Sequence, residues 1–151
     1  MKSIVMVMCL AGLVSFQSNA QDSTKNIKAM LDSKTFTFQP TNMNPSVGRT
    51  RTLDYGYSLQ VKGDSVMAYL PYFGRAYSAP INSNDAGINF TSTNFSYVVS
   101  NAKKKGYTVV IATKDRTYNT TFTLTAFDNG TAYLQVISSD KQQISYNGNI
   151  K

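Results

Sequence analysis

Apolar and polar residues alternate along most of the chain after residue 34, and Gly, Asn, Asp, Pro and Lys repeatedly interrupt the alternation. That is the pattern of half-buried β-strands separated by turns. The clearest case runs from Tyr57 to Leu70. Tyr57, Leu59 and Val61 fall on one face, with Ser58, Gln60 and Lys62 on the other. A two-residue loop at Gly63-Asp64 then pairs Val61 with Val66, Leu59 with Ala68 and Tyr57 with Leu70. A slip of one residue would set apolar against polar throughout.

The other strands follow from the same alternation. Thr35 to Gln39 carries Phe36 and Phe38 on one face, and Pro40 is expected to end it. Asn42 to Gly48 reads as loop, and Arg49 to Leu53 as a short polar edge strand. Ser78 to Gly87 reads as loop, and Ile88 to Thr93 as a strand. Phe95, Tyr97 and Val99 start another, turned by Lys103-Lys104-Lys105-Gly106 into Tyr107, Val109 and Ile111. Lys114-Asp115-Arg116 is the next turn. Around Asp128-Asn129-Gly130, a three-residue loop with Gly130 in the left-handed region sets Leu124 against Leu134 and Phe122 against Val136, whereas a two-residue turn would mismatch them. Ser138 to Lys141 turns the chain into Ile144 and Tyr146, with Gly148 read as a bend.

These are eight to ten short antiparallel strands, with no helix after residue 33 to supply parallel crossovers. The expected fold is all-β, an antiparallel meander closing into a lipocalin-like barrel or half-barrel, with a sandwich as the other solution. Asp22 to Ser33 is the one helix expected in the mature chain. Asp22 or Ser23 caps it, and Ile27, Met30 and Leu31 form a short apolar stripe suited to the rim or mouth of the sheet.

The N-terminus reads as an export signal over residues 1–20. Lys2 is basic, Ile4 to Phe16 is apolar but short for a membrane span, and Ser18-Asn19-Ala20 resembles a cleavage site. The mature chain then starts at Gln21, with a helix over 21–34 and a barrel-like domain over 35–151. Met8 before Cys9 argues against a lipidated cysteine, so Cys9 leaves with the signal. The expected location is periplasmic or secreted, with no stable membrane insertion after processing.

Composition narrows the chemistry. The chain carries a net charge of +7, and all eight acidic residues are Asp; His and Trp are absent. A charge of this size attracts polyanions weakly, and no nucleic-acid partner is expected. Nucleophilic triads need a base that His usually provides, and zinc sites prefer His and Cys. Asp54, Asp64, Asp85, Asp115, Asp128 and Asp140 each fall in or beside a turn, where capping explains them. No cofactor or metal is expected, and the protein reads as no enzyme. A hydrolase working through paired Asp carboxylates is the rival reading, and a purely structural envelope protein the third.

The positive signal is aromatic, in ten Tyr and eight Phe. Most suit pleated faces. The phrase Tyr72-Phe73-Gly74-Arg75-Ala76-Tyr77 does not alternate, and it follows Pro71. Tyr72, Phe73, Arg75 and Tyr77 are therefore the candidate ligand-binding residues, for a small apolar molecule, a glycan or a protein partner. The competing reading is a corner whose aromatics plug the barrel end. Tyr72 and Phe73 are adjacent, so one should turn inward and the other outward.

Leu70-Pro71-Tyr72-Phe73-Gly74-Arg75-Ala76, with Gly63-Asp64, Asn129-Gly130-Thr131-Ala132 and Ile144-Ser145-Tyr146-Asn147-Gly148, resembles an uncharacterised family of exported proteins from Bacteroides-type bacteria, a domain of unknown function. The resemblance covers most of the mature chain and implies export and a β-rich fold, without an activity. Lys141 stands where that family's closing motif has Arg, so no role carries over to it. In such bacteria, triplets like Asp22-Ser23-Thr24 and Asp64-Ser65-Val66 resemble O-glycosylation sites.

Overall fold

The computed structural model describes residues 22–77, 87–103 and 105–151, with side chains from Ile27 onward. The export signal expected over residues 1–20 and most of the loop expected over Ser78 to Gly87 lie outside these residues. The order is α1 (Asp22–Asp32), β1 (Thr35–Pro45), β2 (Arg51–Thr52), β3 (Ser58–Lys62), β4 (Ser65–Pro71), β5 (Gly87–Ser92), β6 (Phe95–Asn101), β7 (Gly106–Thr113), β8 (Thr120–Phe127), β9 (Thr131–Ser138) and β10 (Ile144–Ile150). Every pairing is antiparallel. The hydrogen-bonded path is β5-β4-β3-β1-β10-β9-β8-β7-β6, with the short β2 on β1. The first and last long strands pair with each other, and the sheet is nearly closed into a barrel.

The remaining break lies between β5 and β6, and its geometry follows from counting. Nine strands in an antiparallel path leave the two end strands running the same way. Thr93 and Asn94 alone join them, too few residues to reverse the chain and return. Residues 87–101 are therefore one long strand with a bend, whose first half pairs with β4 and second half with β7. The barrel is in effect an eight-stranded meander. The inward set changes parity at the bend: Ile88 and Ser92 are buried before it, and Phe95, Tyr97 and Val99 pack on the core after it. One extra residue, as in a bulge, keeps the apolar face inward.

The β3–β4 and β8–β9 registers agree with the alternation, including Val61 opposite Val66 and Leu124 opposite Leu134. Gly130 has φ +84. Three readings change. β1 runs through Pro40 to Pro45, because the pairing with β3 stops at Phe38 and that with β2 starts at Asn42. Pro40, which has no N–H to donate, sits in that gap beside a register shift. Tyr57 precedes β3 and stacks on outward-facing Tyr69, with centroids 5.4 Å apart, so it leaves the Leu59 face. Gly148 is no bend; it pairs with Pro40 across β1 and β10, where a Cβ would lie 2.1 Å from the Gln39 carbonyl oxygen.

Phe38, Leu59, Phe122, Leu134 and Tyr146 are among the fully buried side chains that occupy the interior, as expected for a barrel of this size. α1 closes one end. Ile27 and Leu31 are buried in the core and Met30 packs against it. The Tyr97 hydroxyl donates to the Leu31 carbonyl at 2.7 Å, and burial pushes its pKa up to about 12. Lys34, with φ 52, ends the helix and places its ammonium 5.3 Å from the Tyr97 ring centroid.

Candidate functional site

Tight connections lie at the helix end; β4 exits at the other end. The chain from Pro71 to Tyr77 forms a strap tied to the segment between β9 and β10. Gln142 N–H donates to the Arg75 carbonyl at 3.0 Å, and Tyr77 N–H donates to the Asp140 carbonyl at 2.7 Å. Ala76 and Lys141 form an antiparallel bridge. Tyr146, buried on β10, donates its hydroxyl to the Pro71 carbonyl at 2.6 Å.

Tyr72 is the inward residue of the adjacent pair. Its ring packs on the core. Its single hydroxyl proton is shared between the Arg75 carbonyl at 2.8 Å and the Gln142 carbonyl at 3.1 Å. Gly74 makes this possible, because a Cβ there would lie 2.7 Å from the Tyr72 oxygen. Desolvation raises the Tyr72 pKa. The phenol therefore remains a neutral donor at ordinary pH.

Phe73 is the outward residue, 47% exposed, with the Arg51 guanidinium 3.6 Å from its ring centroid. Arg75 and Tyr77 are exposed, Tyr77 at 69%. The strap thus brings the four candidates onto one segment and divides them. Tyr72 works as a latch, whereas the side chains of Phe73, Arg75 and Tyr77 point away from the fold. Arg51, on β2, is the member that sequence reasoning missed, because its link to Phe73 needs the β1–β2 pairing.

Two carboxylates at this end, Asp140 and Asp115, are engaged in the fold. Asp140 is buried and pairs with Lys141 at 2.8 Å, and it accepts from the Ser138 hydroxyl. Burial works against its ionised form, but Lys141 and Ser138 outweigh it and hold the carboxyl below its usual range. Asp115 clamps the bend between β5 and β6. It accepts from Ser92 Oγ at 2.6 Å, Thr93 N–H at 3.0 Å and Asn94 N–H at 3.3 Å. The Ser92 bond, with the two backbone donors, lowers its pKa. Beside it, the Arg116 guanidinium lies 4.2 Å from the Phe90 ring centroid. Among the described residues no group of three or more His, Cys, Asp or Glu is placed to hold a metal. No helix among them is long and apolar enough to cross a membrane.

The model of a domain of unknown function, DUF4251, matches residues 18–150. The chain belongs to the DUF4251 family. That agrees with the resemblance carried by the Leu70-to-Ala76 phrase. A crystal structure of a DUF4251 family protein from Bacteroides eggerthii is similar to this DUF4251 chain, with TM-score 0.62 over 85% of this chain and 86% of that one. The two are 12% identical, so the likeness shows the fold alone. No curated protein matches the chain. In this DUF4251 chain the Leu-Pro-Tyr-Phe-Gly phrase has a structural explanation. Leu70 enters the core, Pro71 accepts from Tyr146, Tyr72 latches the strap and Gly74 makes room for its ring.

Proposed function

We propose that this DUF4251 protein is exported and acts by binding rather than catalysis, taking a glycan on the strap end of the barrel. The observation that carries this is the half-exposed Phe73 ring with Arg51 stacked on it, next to a Tyr72 whose hydroxyl bonds within the fold. A rigid aromatic face flanked by guanidinium donors suits a sugar ring, which offers C–H groups on its faces and hydroxyls at its edge. The barrel interior is filled by side chains, which favours the outer surface over an internal apolar ligand. Asp115 and Asp140 are spent on hydrogen bonds within the fold, which supports binding over hydrolysis. Export is supported by the basic, apolar and small-residue order of the N-terminus.

Saturation-transfer NMR with a panel of neutral and acidic oligosaccharides tests the reading. Transfer to at least one sugar is expected, and Phe73→Ala and Arg75→Ala should abolish it without moving the unfolding midpoint. Absence of transfer across the panel, or transfer indifferent to Phe73→Ala, contradicts it.

A further inference from the structure

Two guanidiniums at the strap end each lie on a phenylalanine ring. Arg51 sits 3.6 Å from the Phe73 centroid, and Arg116 sits 4.2 Å from the Phe90 centroid. Arg51 lies opposite the buried Met43 across β1 and β2, which puts its side chain on the inner side of the sheet. Phe90 falls in step with the buried Ile88 and Ser92 and packs on the core, so Arg116 covers an inward-facing ring. Both cations therefore border the mouth of the barrel and not its outer wall.

Neither fork is used by the fold. Among the described residues, the cationic side chains that donate hydrogen bonds are Lys28, Lys141 and Lys151. The ion pairs there are Lys28 with Asp32 and Lys141 with Asp140. A stack fixes the plane of a guanidinium and leaves its N–H edge open. That edge is a flat fork of donors, matched to the paired oxygens of a carboxylate and equally of a sulfate. Charge points the same way. Arg49, Arg75 and Lys114 join the two forks at this end. Opposing them among the described residues are Asp54 and the two carboxylates already bonded within the fold.

We propose, building on the glycan reading of this end, that the ligand is an acidic glycan whose carboxylates or sulfates enter the guanidinium forks of Arg51 and Arg116. A lone anion fills one fork, whereas a chain with acids on successive sugars fills both. A neutral chain gains the ring contact and leaves both forks to water.

Calorimetric titration with matched glycans is the test. Oligogalacturonate is set against its methyl ester, and dextran sulfate against dextran. The acidic member of at least one pair should bind at least about tenfold tighter, which is about 1.4 kcal/mol. The pair that responds distinguishes carboxylate from sulfate recognition. Arg51→Gln and Arg116→Gln should each weaken the acidic ligand at least about tenfold. Arg51→Lys keeps the charge and loses the fork, and it should weaken binding as well. Lys62→Gln removes the same charge beside the Gly63-Asp64 turn and should leave binding unchanged. Circular dichroism checks each fold, and Arg116→Lys replaces Arg116→Gln if that variant fails to fold. Equal binding of acidic and neutral members overturns the acidic ligand and leaves a glycan site standing. So does acidic binding indifferent to Arg51 or to Arg116, or kept in full by Arg51→Lys. Binding of no glycan overturns both. Equally tight binding of single-stranded DNA, lost in the same variants, also overturns it and makes the mouth a general polyanion site.

Discussion

At the helix end, β3 and β4 are joined by residues 63–64 and β8 and β9 by residues 128–130, and α1 lays Ile27 and Leu31 into the core. At the strap end, the connections 46–57, 114–119 and 139–143 are longer, and distant polar pairs hold them together. Tyr72 reaches Gln142, Tyr146 reaches Pro71, and Asp115 reaches back to Ser92. The comparison teaches that apolar burial and local turn geometry close one end, whereas hydroxyls and carboxylates tie down the other. A barrel end held by polar ties to the backbone can leave its aromatics free, and Phe73 and Tyr77 are free in this sense.

The contrast makes testable demands. Leu31→Ala should cost the most, about 2–5 kcal/mol, because it empties a fully buried site at the helix end. Urea denaturation measures it, and a loss under about 1 kcal/mol would mean that α1 does not close that end. Tyr146→Phe keeps the ring and removes the hydroxyl that satisfies Pro71. The expected cost is about 1–3 kcal/mol, and a neutral result would show that the strap is held elsewhere.

Acid should act on the strap end. Asp115 and Asp140 both have carboxyls held below their usual range. Their stabilisation is complete above the unfolded value of about 3.9 and is lost as pH falls through the lower folded values. Asp140→Asn and Asp115→Asn should each lower the melting temperature at neutral pH and flatten its fall in acid. An acid profile identical to that of the parent would remove these carboxylates from the account.

The tight-turn end was legible in the sequence because its information is local. Val61 opposite Val66 and the three-residue loop at Gly130 follow from alternation and turn chemistry alone. The strap end was legible only in part. Adjacency required Tyr72 and Phe73 to diverge, but their directions depend on Gln142, which lies 70 residues further along the chain. Asp115 looked like an ordinary turn residue because Ser92, its partner, is 23 residues away. The bend at Thr93-Asn94 was hidden for the same reason. Inward positions change from even at Ile88 to odd at Phe95 and Tyr97, but a two-residue hairpin such as Gly63-Asp64 makes the same change, and only the separate pairings with β4 and β7 show one continuing strand. Pro40 misled because a proline usually ends a strand, and the gap between β3 and β2 is visible only once the sheet is formed.

The central claim is that Tyr72 holds the strap and Phe73 does not. Paired urea midpoints for Tyr72→Ala and Phe73→Ala test it most directly. Tyr72→Ala should lose about 2–3 kcal/mol, toward the low side for a large ring because this one is only partly buried. Phe73→Ala should lose less than about 1 kcal/mol, since it gives up one cation–π contact at an exposed position. Large and equal losses would contradict the account and make the whole strap a plug.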